Sequence, residues 1–341
     1  MRRWVALVGE TGGRPKRRTV WARLYLLTLM PLCLSACGGA IAPSVTGHTP
    51  NPAVLIGHGS LWQVVITADP DPEGVTGLAL DRHGHMYLAE YHNDRIAEYA
   101  LKGSLIRKWG THGSAAGQLA GPAKLALDAH ENVYVTETGN NRIQKFSATG
   151  QPLAQWGGRP ASPRPGSFDF PIGIAVDGQG NVYVADAANY RIQKLSRVGS
   201  LLAQWGSEGS GPGQFEVPYD VALDAQADVY VSEPRGNDRV QEFSPGGTLI
   251  AQWGGSGGAP GKFNYPTGIA VDSDGNIYVD DTGNNRIQKL SPSGLYLAQW
   301  AGPATTPFDG HSEISMDSQG GLYVSDRNLV LKICVAAQGC R

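Results

Sequence analysis

Six aspartates, Asp81, Asp128, Asp177, Asp224, Asp272 and Asp317, follow one another at intervals of 47, 49, 47, 48 and 45 residues, and Tyr87, Tyr134, Tyr183, Tyr230, Tyr278 and Tyr323 repeat the same intervals. A period in the forties sustained over six copies calls for a stack of like supersecondary units, because one such unit cannot bury its apolar surface alone. The content of a unit says which kind. In the fifth copy, "GIAVD" at 268–272, "NIYVDD" at 276–281, "RIQKLS" at 286–291 and "LYLAQW" at 295–300 read as four short β segments. "SDGN" joins the first two as a hairpin and "PSG" the last two. Ile269, Ala270 and Val271 make both faces of the first strand apolar, as suits a strand covered on two sides. Six sheets arranged radially cover one another in this way. The expected fold is all-β, a six-bladed β-propeller of four-stranded antiparallel blades.

The ring is expected to close with a strand from the N-terminal side. The sixth copy ends after "LKICV" without a fourth strand, while "SLWQVVI" at 60–66 precedes the first copy without inner strands of its own. Gly59 stands 22 residues before Asp81 and Gly294 stands 23 before Asp317. Residues 60–66 are therefore placed to supply the outer strand of the last blade and to protect its edge.

Ahead of the propeller, basic residues from Arg2 to Arg23 precede an apolar run from Leu24 to Leu34, too short for a permanent membrane span. Leu34-Ser35-Ala36-Cys37 resembles a bacterial lipoprotein cleavage box. The resemblance implies a signal peptide over 1–36, a lipid on Cys37 and anchoring to the membrane in the bacterial cell envelope; an ordinary export signal with a chance cysteine is the alternative. Residues 37–59 read as the lipidated cysteine and a flexible tether, 60–335 as the propeller and 336–341 as a tail. Without residues 1–36 the chain keeps 21 basic and 29 acidic residues, a formal charge of −8. Such a charge disfavours nucleic acid as a partner, since affinity there comes from neutralising phosphates. Cys334 and Cys340, close in sequence in an exported chain, are candidates for a local disulfide or else two free thiols.

"PTGIAVDSDGNIYVDDTGNNRIQKL" at 266–290 and "FDFPIGIAVDGQGNVYVADAANYRIQKL" at 168–195 resemble the NHL-repeat proteins, and the resemblance covers essentially all of 60–335. It implies a six-bladed propeller whose first strands line the central channel. It does not imply one activity: the family resembles extracellular sensor domains of bacterial kinases, RNA-binding propellers and an amidating lyase that cleaves peptidyl hydroxyglycine. Function has to be argued from sites.

A group written into every blade does the same job in every blade. The acids Glu90, Glu137, Asp186, Glu233, Asp281 and Asp326, with Arg95, Arg142, Arg191, Arg239 and Arg286, are expected to order the turns between the second and third strands and to pair. Trp109, Trp156, Trp205, Trp253 and Trp300 are expected to pack between blades rather than to form a sugar-stacking ring. "DSDGN" at 272–276 reads as a hairpin turn and not a calcium loop, because the downstream bidentate glutamate is missing.

Specific function is sought where the copies disagree. At the start of the first strand they carry Gly77, Lys124, Gly173, Asp220, Gly268 and Glu313. Lys124, Asp220 and Glu313, with Tyr219 and His311 from adjoining positions, are expected to converge at the channel mouth. They form either a ligand pocket or a set of ion pairs serving stability. Two function classes follow. In the first, the propeller is a lipid-anchored scaffold that offers one face, with variable linkers such as 157–168 and 301–308, to a protein, peptide or cell-wall ligand. In the second, it is a lyase or lactonase with a divalent cation, calcium or zinc, in the channel. Asp220 and Glu313 would then be oxygen ligands, His311 an acid or base and Lys124 an electrostatic stabiliser. Two carboxylates underfurnish a calcium site, and the histidine pattern that holds zinc in the amidating lyase is absent. The sequence carries no nucleophile elbow, phosphate loop or kinase signature.

Overall fold

The structure is a computed structural model and describes residues 62–67, 74–158, 161–303, 308, 313–317 and 319–333. The segments expected to be a signal peptide and a tether, with Cys37, His311, Cys334 and Cys340, lie outside the described residues. The described strands make six four-stranded antiparallel sheets, five of them paired in chain order from the axis outward. In the fifth blade the strands are Pro266–Val271, Ile277–Asp281, Arg286–Leu290 and Tyr296–Ala301, within two residues of the segments read from the sequence. Each first strand packs against the first strands of both neighbours, and Glu313–Met316 meets Val75–Leu80 to close the ring. The only helical pieces among the described residues are the 3-10 turns Ala187–Asn189 and Thr282–Asn284, and none is long and apolar enough to cross a membrane.

The last blade is shared between the two ends of the propeller, as expected. Trp62–Thr67 pairs antiparallel with Leu329–Ile333, Gln63 opposite Lys332 and Ile66 opposite Val330, with a bulge between Val64 and Ile66. Ile66, 1% exposed, packs with Tyr323 and Val330 of the last blade and with Leu78, Met86 and Tyr99 of the first. Complete burial of such a side chain is worth ~1.5–3 kcal/mol. This strand is thus held by its neighbours' side chains as well as by the ladder.

Six apolar clusters lie between successive blades, one per interface. Ala89 and Ile96 of the first blade, for example, pack against Leu125, Val133, Val135 and Phe146 of the second. Two-sided burial explains the apolar runs of the inner strands. The tryptophans complete these interfaces. Trp156 stacks on Tyr134 at 5.9 Å and donates its Nε1–H to the carbonyl of Val198 in the next blade at 3.1 Å. Gly199, at φ +86°, follows that carbonyl because a Cβ there would fall inside the indole.

In five of the six blades the aspartate and tyrosine that set the period are hydrogen-bonded partners. Asp272 accepts the backbone N–H of Asp274 and Asn276 at 3.0 and 2.8 Å and the hydroxyl of Tyr278 at 3.2 Å, so one carboxylate shapes the turn and anchors the next strand. "DSDGN" is a hairpin turn, as read.

The acid of "TGNNR" is architecture, as read, but it is buried. Glu137, fully enclosed, accepts from Arg142 Nε at 2.6 Å, Asn140 at 2.7 Å, Gln144 at 2.8 Å and the backbone N–H of Ala120 at 3.0 Å. The Arg142 guanidinium also reaches the carbonyls of Ser114, Ala115 and Gln118, in the linker that leads into its blade. Asp186 with Arg191, Glu233 with Arg239 and Asp281 with Arg286 repeat the hub. Losing one partner of a buried pair costs ~3–5 kcal/mol, well above the value of an exposed one.

Candidate functional site

Lys124 lies in the inner strand Pro122–Leu127, and Asp220 and Glu313 open the inner strands Asp220–Leu223 and Glu313–Met316. The intervening blades carry glycine for a steric reason. A Cβ on Gly173 would stand 2.6 Å from the Cα of Asp220, one on Gly77 2.9 Å from the Cα of Lys124, and one on Gly268 2.9 Å from the backbone nitrogen of Ile314. Each glycine lets the next inner strand approach, and at this position only alternate blades carry a side chain. A hydroxyl accompanies each charged residue. Thr136, Ser232 and Ser325 of the second strands accept the backbone N–H groups of Lys124, Asp220 and Glu313 at 3.1, 3.2 and 3.1 Å.

The three charges meet, and they are enclosed. Lys124 is 3% exposed, Asp220 3% and Glu313 7%. The Lys124 ammonium contacts Glu313 Oε2 and lies 3.7 Å from Asp220 Oδ2. It also sits 5.6 Å from the ring centroid of Tyr219, itself buried. Asp220 accepts the backbone N–H of Val221 at 2.9 Å and of Ile269, in the following blade, at 3.1 Å. Of the five residues expected at the channel, Lys124, Tyr219, Asp220 and Glu313 are brought together; the position of His311 is not described.

A further acid belongs to this group. Asp280, fully buried, accepts from Thr267 Oγ1 at 3.3 Å and is near enough to Lys124 to favour its charged form. The sequence reading missed it because Asp281, the acid of the repeated turn, stands beside it. The second-strand position it occupies carries Ala89, Thr136, Ala185, Ser232 and Ser325 in the other copies, and that contrast was the available signal.

Burial holds the Lys124 ammonium below the ordinary lysine range, against the upward pull of Asp220 and then Asp280. Burial likewise pushes the Asp220 carboxyl above its usual range, against the attraction of Lys124. Chemically, the axis gathers three acids, Asp220, Glu313 and Asp280, about one lysine. A divalent cation on the same oxygens would have to displace that ammonium.

Three segments, 119–146, 168–195 and 263–290, match the family model for the NHL repeat. No curated protein sequence matches the chain significantly. Solved structures share the fold at low identity. A streptogramin B lyase is 15% identical, with TM-score 0.58 over 80% of this chain and 96% of its own. A gluconolactonase from Xanthomonas campestris is 16% identical, with TM-score 0.58 over 80% of this chain and 88% of its own. A chain of a nidogen–laminin complex is 19% identical, with TM-score 0.51 over 69% of this chain and 82% of its own. Recurring sequence segments and blade topology agree: the chain carries NHL repeats in a six-bladed β-propeller.

Proposed function

We propose that the chain is a binding propeller, exported and lipid-anchored through Cys37 in the bacterial cell envelope, that presents a face to a protein, peptide or cell-wall ligand. The observation that carries this reading is the enclosed axis. Lys124 is paired with both Asp220 and Glu313 below the surface, so the group is built as an internal tie and recognition falls to the loops that join the blades. The likeness to a chain of a nidogen–laminin complex supports a propeller in protein association at the level of fold.

The second reading is a metal-dependent lyase or lactonase. Its support is the likeness to a streptogramin B lyase and a gluconolactonase, together with a lysine and acids held away from their ordinary ionisation at the axis.

One comparison separates the two readings. The full-length protein, an Asp220→Asn/Glu313→Gln variant and a variant with residues 161–167 replaced by Gly and Ser are tested for binding to a peptide array and to muropeptides, and for hydrolysis of chromogenic lactones. The binding reading expects ligand capture that the loop variant loses and the axis variant keeps, with no turnover. Lactone turnover abolished by the axis variant would replace it with the enzyme reading. Labelling of the protein in cells by an alkyne fatty acid, lost in Cys37→Ser, tests the anchor.

A further inference from the structure

Each blade has a cation seat beside the turn of its first hairpin. In blades two, five and six a lysine of the third strand fills it: Lys145 Nζ lies 3.0 Å from Asp128, Lys289 3.3 Å from Asp272 and Lys332 3.8 Å from Asp317. In blade three Lys194, at the same strand position, lies over the ring of Tyr183 at 4.8 Å. Blade one has Glu98 in place of the lysine, and a cation from the outer strand restores the charge. Arg107, opposite Glu98 on the outer strand, lies 2.7 Å from it, and His85 lies 2.9 Å from Asp81.

Blade four departs from all of these. Its turn aspartate is Asp224; the position of Asn132, Asn181 and Asn276 is Asp228; and the position of the lysine is Glu242. The outer-strand residue opposite Glu242, equivalent to Arg107, is Ala251. One oxygen from each of Asp224, Asp228 and Glu242 lies within 4.8 Å of the others. Glu242 is 8% exposed, and its Oε1 accepts from the Tyr230 hydroxyl at 2.9 Å. Among the described residues, Glu242 Oε2 receives no hydrogen bond, and no lysine, arginine or histidine pairs with any of the three acids. Lys194 of the preceding blade, whose ammonium is directed to the Pro245 carbonyl at 3.4 Å, pairs with none of them.

We propose that Asp224, Asp228 and Glu242 bind a calcium ion, which takes the seat that a side-chain cation fills in the other blades. Three carboxylates turned to one point, one of them from a nearly buried strand, need a positive charge that the chain supplies elsewhere and omits here. The donors are all hard oxygens with no nitrogen or sulfur, which selects calcium over zinc. Carboxylates binding through one or both oxygens offer three to six ligands, and water completes the shell.

The test uses the full-length protein stripped with chelator. Calcium alone is titrated by calorimetry, and terbium by luminescence sensitised through Tyr230. Wild type is expected to bind one calcium that is lost, or weakened at least tenfold, in Asp228→Asn/Glu242→Lys, which rebuilds the arrangement of blade five. Calcium is expected to raise the melting temperature of wild type and not that of the variant. Asp228→Asn alone, a change in a solvated turn, is expected to weaken binding severalfold in a protein that melts as wild type does. Asp220→Asn/Glu313→Gln at the axis is expected to bind as wild type. No saturable calcium binding to wild type would overturn the proposal. So would binding that both blade-four variants retain, or binding that only the axis variant loses.

Discussion

At the axis, Asp220 and Glu313 share the ammonium of Lys124, whereas at the first hairpin of blade four Asp224, Asp228 and Glu242 share no side-chain cation. Both are departures from a repeated pattern, and both gather acids from separate strands. They differ in whether any side-chain cation accompanies the acids. At the axis the charges came together with their opposite sign and with a hydroxyl from the neighbouring strand for each backbone N–H. In blade four a lysine and an asparagine were each exchanged for an acid, and nothing nearby followed. A repeat protein contains its own controls, since the other blades show what the same seat holds when it is satisfied.

Four changes probe this contrast, in order of falling effect. Lys124→Met removes the shared cation and leaves two carboxylates enclosed, so a loss of ~3–5 kcal/mol is expected in urea unfolding, partly recovered when Asp220→Asn/Glu313→Gln is added. A cost under about 1 kcal/mol would mean that the ammonium does not hold the axis. Asn276→Asp/Lys289→Glu moves the blade-four set into blade five. It is expected to lose ~1–2 kcal/mol without metal, and calcium is expected to restore part of the melting temperature. Asp228→Asn/Glu242→Lys makes the opposite exchange and is expected to gain roughly 0.5–1 kcal/mol in chelator, by relief of like charge; destabilisation would show that the acids are satisfied without an ion.

The smallest effect concerns pH. Burial raises the Asp272 carboxyl, but hydrogen bonds from Asn276 and Lys289 outweigh it and hold the group below the usual range. Its contribution is therefore present above the unfolded value of about 3.9 and lost as pH falls through the lower folded value. Lys289→Met is expected to cost ~0.5 kcal/mol near neutrality and nothing in strong acid, as read by thermal melts across pH. A difference that stays constant into strong acid would detach the lysine from the aspartate.

The blades were legible in the sequence because their signals are local and recur: an Asp and a Tyr six residues apart, apolar inner strands, and glycines at the outer hairpins. Ring closure was legible from what the sixth copy lacks. The convergence of Lys124, Asp220 and Glu313 was also readable, since alternate blades at one strand position must point to one axis. Their enclosure was not. Whether such residues stand open to solvent depends on how closely Gly77, Gly173 and Gly268 admit the next strand, a distance of tenths of an ångström that no spacing encodes. Asp280 was hidden beside Asp281. The acids of blade four were hidden by their ordinary settings, a turn and a third strand, and emerge only when "RVQEF" at 239–243 is set against "RIQKL" at 286–290.

The strand Trp62–Thr67 is synthesised before any blade and finds its partner, Leu329–Ile333, only after all of them. Until then the first blade has no neighbour on one side, and Leu78, Met86 and Tyr99 lack the residues that cover them in the finished ring. The contact that seals the propeller is thus among the longest in sequence that the chain makes, and it is expected to form late. A ribosome that holds back the last few dozen residues would keep the ring open, with two unprotected sheet edges, for as long as it does so.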